Sequence, residues 1–185
     1  MEKIRVTAWI IASQAGALAL LEKRRRTEEQ ETKAELIRSG LSSREARIRI
    51  MRMRPEHWPA LEDVVASSLR RRLADEDLAG PWAALTQGEL DRLALCGRWP
   101  GASDGITLVQ RNYALPADLV RQLRTASWRV SEKPLAELHE RGLVGSGKKL
   151  NEEQRRVRDE LARQLHPPAR IIRQALTAYP PALPE

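Results

Sequence analysis

The residues able to do covalent or metal chemistry are few and scattered. His57, His139 and His166 are isolated, and none has the paired spacing that puts two ligands around one metal ion. Cys96 is the only cysteine, so no internal disulfide exists and a reducing, cytoplasmic setting is expected. Its place on an apolar helical stripe suits a small buried hydrophobe better than a nucleophile. Gly145-Ser146-Gly147-Lys148-Lys149 lacks the spacing of a Walker phosphate loop. The sequence therefore points away from an enzyme, a metal centre and a bound cofactor.

What remains is cationic chemistry. Lys and Arg number 32 against 25 Asp and Glu, a net charge of +7 over 185 residues. Such a balance favours a polyanionic partner. Most of the cations are Arg, which fits the composition of a high-GC genome for the majority of them and, for some, phosphate binding by the planar fork. The densest run is Arg44 to Arg54, REARIRIMRMR, which fits a helix by capping and a strand by its ARIRI alternation. A nucleic-acid contact and a solvated face around a packed stripe are both compatible with it.

The elements that would position these charges divide at Ala79-Gly80-Pro81. Before it, residues 1–78 read as helical. Val6 to Leu21 is almost uncharged but too short and too polar to span a membrane, and it is expected as a buried helix or as one packed on a second subunit. Glu22 to Arg38 is a charged helix ended by Ser39-Gly40, and Ser42 with Glu45 makes a capping box for the next. Pro55 is expected to stop that helix. Leu61, Val64, Val65, Ser68, Leu69 and Leu73 form a stripe on another. Two apolar faces in so short a region lead to an expectation of self-association as a homo-oligomer.

Beyond the boundary, residues 82–179 read as helix 86–96, strand 106–109, helix 116–126, helix 131–141, hairpin 143–150 and helix 151–165. A short helix follows Pro167-Pro168, and residues 180–185 form a tail. Thr86 with Glu89, and Asn151 with Gln154, cap helices. Ser127 to Ser131 is expected as a tight turn, with Ser131 capping the second helix and Pro134 in its first turn. Gly142 suits a left-handed helix terminus. Trp128, Leu135 and Leu138 are expected in the core.

This order resembles the winged helix-turn-helix domain of bacterial regulators. The resemblance is carried by Leu135, Leu138, Glu140-Arg141-Gly142-Leu143-Val144 and Leu150-Asn151-Glu152-Glu153. It covers roughly a third of the chain by motif and does not reach the N-terminal half. The fold expected is mainly α: a helical N-terminal region, then a winged helix with a minimal β-hairpin.

The resemblance implies duplex-DNA binding, with helix 131–141 in the major groove and the wing on phosphate. Lys133 would then face the groove floor, beside Arg129 and Arg141. Lys148 and Lys149 would touch phosphates from the wing, and Arg121 and Arg124 would reach the backbone from the preceding helix. Glu132, Glu137 and Glu140 on the same helix depart from a base-reading pattern, so modest discrimination is expected. The function implied is that of a transcriptional regulator or an accessory replication or mobile-element factor. A second reading is a non-enzymatic adaptor whose winged helix docks protein. A ribbon-helix-helix arrangement over Asn112 to Leu138 is a third, within the DNA-binding class.

Overall fold

The computed structural model describes residues 2–90, 106–144 and 149–180. The chain opens with a strand. β1 spans Lys3–Ile11 and lies antiparallel to β2, Leu108–Pro116, in a register running from Lys3 opposite Pro116 to Ile11 opposite Leu108. Val6 to Leu21 is therefore not one helix, and the N-terminal region is not wholly helical. Ile4, Val6, Ala8 and Ile10 recur every two residues, which aligns them on one face of a strand and scatters them around a helix. Pairing with a strand more than a hundred residues away satisfies the backbone. The strand expected at 106–109 is real but begins at Leu108 and runs on to Pro116.

At Ala12 the burial period changes from two to three, with Ala15 and Leu18 turned inward, and α1 runs over Ala12–Arg38. It ends in a Schellman turn: Gly40 takes φ 102°, its N–H reaches Ile37 O, and Leu41 N–H reaches Leu36 O. α2 covers Ser43–His57, opened by the expected Ser42–Glu45 box. Pro55 does not stop it but sits in its last turn, and Trp58 Nε1 bonds Glu28 on α1. α3 is Leu61–Leu73. Further along come α4, Ala117–Glu140, α5, Glu152–Gln164, and α6, Pro168–Ala178.

The first core lies under the ribbon of β1 and β2. Ala8 and Ile10 of β1, Tyr113 and Leu115 of β2, Val65 and Leu69 of α3, Leu119 and Leu123 of α4, and Ile171 and Ile172 of α6 meet there. Residues from both sides of Ala79-Gly80-Pro81 thus share one core. Of the apolar faces expected to self-associate, Ala8, Ile10, Ala15, Leu18, Val65 and Leu69 are buried within the chain, while Trp9 and Leu20 stay exposed. Gly80 itself is needed for a close approach, since a Cβ there would come within 2.5 Å of the Trp82 ring. Arg72, at the end of α3, is buried and grips Asp77 with two bonds of 2.6 Å, reaching Gln174 on α6 as well.

The second core joins Trp128, Leu135, Leu138, Leu143, Leu161 and Leu165, so the three residues expected in the core are there. The helices carrying them differ from expectation. Ala117–Glu140 is one unbroken helix, not two helices joined by a turn at Ser127–Ser131. The two serines do not turn the chain. Ser127 Oγ donates to His166 O at 2.7 Å, and Ser131 Oγ accepts from His166 N–H at 2.9 Å. Their hydroxyls satisfy the backbone where α5 gives way to α6, so Ser131 caps nothing and Pro134 falls mid-helix. The expected end of α4 is correct: Gly142 takes φ 62°, with Gly142 N–H on His139 O and Leu143 N–H on Leu138 O.

The wing expected at 143–150 falls partly outside the described residues, at 145–148, and its described flanks carry no strand. The Thr86–Glu89 box opens a helix at Gln87, while Cys96 lies outside the described residues. The tail does too, apart from Pro180.

Candidate nucleic-acid interface

α4 carries four of the seven expected DNA-binding residues, but it does not gather them. Arg124 and Lys133 are nine positions apart, which is roughly half a turn around the helix axis. Arg121 and Arg124 are exposed, and Arg121 borders an open cleft of ≈ 690 Å³ with Arg70, Trp82 and Asp118. Arg129 is committed elsewhere. Its guanidinium bonds Glu89 at 2.5 and 3.3 Å, and Glu132 stands 3.7 Å away. The Thr86 backbone N–H, with Arg129 next, holds the Glu89 carboxyl down at about 2. Arg141 pairs with Glu137 at 2.5 Å. Lys133 is exposed beside exposed Glu132, Lys149 is exposed, and Lys148 lies outside the described residues.

α2 differs. Arg44, Arg47, Arg49 and Arg52 are exposed, and among the described residues none has an acidic partner within 4 Å. Arg54 is bonded to Glu29 on α1. Ala46 and Ile50 pack inward, while Ile48 and Met51 stay exposed among the arginines.

The third region is the outer face of the ribbon, which the sequence reading missed. Pleating sends Ile4, Val6, Ala8 and Ile10 inward, so Lys3, Arg5, Thr7 and Trp9 face out. The antiparallel register sets Gln110 beside Trp9, Asn112 beside Thr7 and Ala114 beside Arg5. Thr7 Oγ1 donates to Asn112 Oδ1 at 2.7 Å in the middle of the ribbon. Arg5, Thr7, Gln110 and Asn112 are all exposed, and Arg5 has no acidic partner among the described residues. Trp9 and Leu108 are exposed at the far end, at 44% and 39%.

The ribbon is stiffly backed. Nine residues per strand give a length of about 30 Å. Beneath it Tyr113 is buried, which pushes its hydroxyl up to about 12. Gln14 fixes the start of α1 by donating to Arg173 O and Thr177 Oγ1 on α6. A signal for this face existed in the sequence. Arg5 and Thr7 alternate with Ile4, Val6 and Ala8, so period two would have exposed them, whereas Arg111 between Gln110 and Asn112 breaks the alternation on β2 and hides its register.

Among the described residues no group of His, Cys, Asp and Glu is placed to hold a metal ion. No described helix is long and apolar enough to cross a membrane. Compared with protein-family models, curated proteins and solved structures, the chain matches none.

Proposed function

We propose that this chain is a non-enzymatic, duplex-DNA-binding protein that enters the major groove with the outer face of its β1–β2 ribbon. The observation that carries this reading is the row Arg5, Thr7, Asn112 and Gln110, exposed on a two-stranded antiparallel ribbon. The major groove, about 12 Å wide, admits such a ribbon, and these are side chains that pair with base edges. Ala8, Ile10, Tyr113 and Leu115, buried on the opposite face, anchor the ribbon to the core and hold the row in place, so little ordering entropy opposes binding.

A surplus of cations supplies the sequence-independent part. Arg44, Arg47, Arg49 and Arg52 on α2, with Arg121, Arg124, Lys133 and Lys149, are exposed and available to phosphate. The expected winged-helix docking remains only a secondary contact in this reading, because Arg129 and Arg141 are already ion-paired. A site-specific DNA binder of this kind would act as a regulator or as an accessory factor in replication or mobilisation.

Titration of the full chain against a random-sequence duplex at several salt concentrations tests the class. Affinity should fall steeply and linearly with salt on logarithmic axes. No binding at low salt would overturn it, and would favour the adaptor reading, with Trp9 and Leu108 as the protein-docking residues.

A further inference from the structure

The chain contains an approximate internal two-fold. Thr7 pairs with Asn112, which stands 105 positions later. Shifting β1 by that same interval superposes it on β2, and the first residue of α1, Ala12, on the first residue of α4, Ala117. Residue 7 therefore faces its own counterpart, so the local dyad passes through the Thr7–Asn112 pair.

The equivalence extends beyond the strands. Ala12 N–H bonds Thr107 O at 3.1 Å, and Ala117 N–H bonds Glu2 O at 3.1 Å, the same bond made from each side. Ala15 and Leu18 are buried in α1, and their counterparts Val120 and Leu123 are buried in α4. α1 pairs with α2 as α4 pairs with α5. α3 then packs on β2, while α6 packs on β1, and α3 and α6 meet across the dyad. Each half is a strand followed by helices, and each lends its last helix to the other's strand.

The two ends of the ribbon are not alike in chemistry. One end presents Arg5 with its small neighbour Ala114, while Lys3 beyond it is paired with Asp63 at 3.8 Å. The other presents Gln110 with Trp9 and Leu108. Arg bonds guanine O6 and N7 in a fork, Gln bonds adenine N6 and N7, and apolar groups contact the thymine methyl.

Resting on the DNA-binding reading above, we infer that one copy of the chain recognises a single duplex site with a pseudo-dyad and two unlike halves. A guanine lies in the half read by Arg5, and an adenine with a neighbouring thymine lies in the half read by Gln110, Trp9 and Leu108. The dyad that paired identical subunits usually supply is completed here within one polypeptide.

The test is selection of duplexes from a random pool by the full chain, repeated with Arg5→Ala, Arg5→Lys and Gln110→Ala. The expected motif has two different halves. Each Ala variant relaxes one half only, with about a ten-fold loss of discrimination there. Arg5→Lys keeps the charge but loses the fork, and should relax the same half as Arg5→Ala. Sedimentation of the complex should give one chain per duplex. A perfect palindrome holding two chains, a motif whose halves respond together, or binding without any enriched motif would each overturn the inference while leaving DNA binding intact. Absence of all duplex binding at low salt would instead remove the reading on which it rests.

Discussion

The ribbon's outer face and the distal half of α4 carry similar side chains to different ends. On the ribbon, Arg5, Gln110 and Asn112 are exposed, and only Asn112 is engaged, by Thr7. On distal α4, Arg129 and Arg141 are held by Glu89 and Glu137, and Ser127 and Ser131 clasp the backbone at His166. The ribbon keeps Arg5 and Gln110 available, although Lys3 pairs with Asp63, whereas distal α4 spends Arg129, Arg141 and both serines on the fold of the chain itself. A basic residue on a helix is thus not yet a binding residue. What matters is whether a carboxylate of the same chain already occupies it.

If distal α4 is structural, its disruption should lower stability and spare binding. Leu138 is fully buried, and Leu138→Ala should lower the unfolding free energy by about 2–5 kcal/mol in denaturant titrations. The folded fraction should still bind DNA, and a loss of affinity disproportionate to the unfolded fraction would move the interface back to α4.

Ser127→Ala strikes the same region more gently. It leaves the His166 carbonyl without its Ser127 partner and should cost about 1–3 kcal/mol. A change within a few tenths would show that the hydroxyl does not hold α4 to the α5–α6 junction.

The ribbon should behave in the opposite way. Arg5→Ala should leave thermal stability within about 0.5 kcal/mol of the parent. In the same variant, affinity for a selected duplex should fall about ten-fold. A large stability loss with unaltered affinity would reverse the roles assigned to the two regions.

The smallest expected effect concerns acid. The Glu89 carboxyl sits at about 2 in the fold, against 4.5 for an unperturbed glutamate. A depressed value means the ionised carboxylate favours the folded state. This contribution is complete above the unfolded value and is lost as pH falls from there through about 2. Glu89→Gln should flatten that part of the stability–pH curve. An unchanged curve would mean that neither the Thr86 cap nor the pair with Arg129 holds the carboxylate in solution.

Much of the helical punctuation was legible. The Ser42–Glu45, Thr86–Glu89 and Asn151–Gln154 boxes and the turns at Gly40 and Gly142 form as their local chemistry dictates. Leu135 and Leu138 were readable as core because a 3.6-residue period is local. The failures were non-local. β1 needs β2, and nothing near Lys3–Ile11 announces a partner so far along the chain. Ser127 and Ser131 looked like a turn because serine hydroxyls serve backbone groups. That they serve the backbone of His166 depends on packing between distant helices. The outer face of the ribbon was missed for the first reason: Arg5 and Asn112 come to share one face only once the ribbon exists.

One measurement tests the central claim directly: the duplex affinity of Arg5→Glu and Lys133→Glu, determined side by side at low salt in the full chain. Both replace one exposed cation by an anion, so the change in net charge is the same. Arg5→Glu should lose nearly all sequence-selective binding, while Lys133→Glu should weaken every duplex slightly and equally. Loss of binding in Lys133→Glu with Arg5→Glu unaffected would contradict the claim and place the groove-reading element on α4.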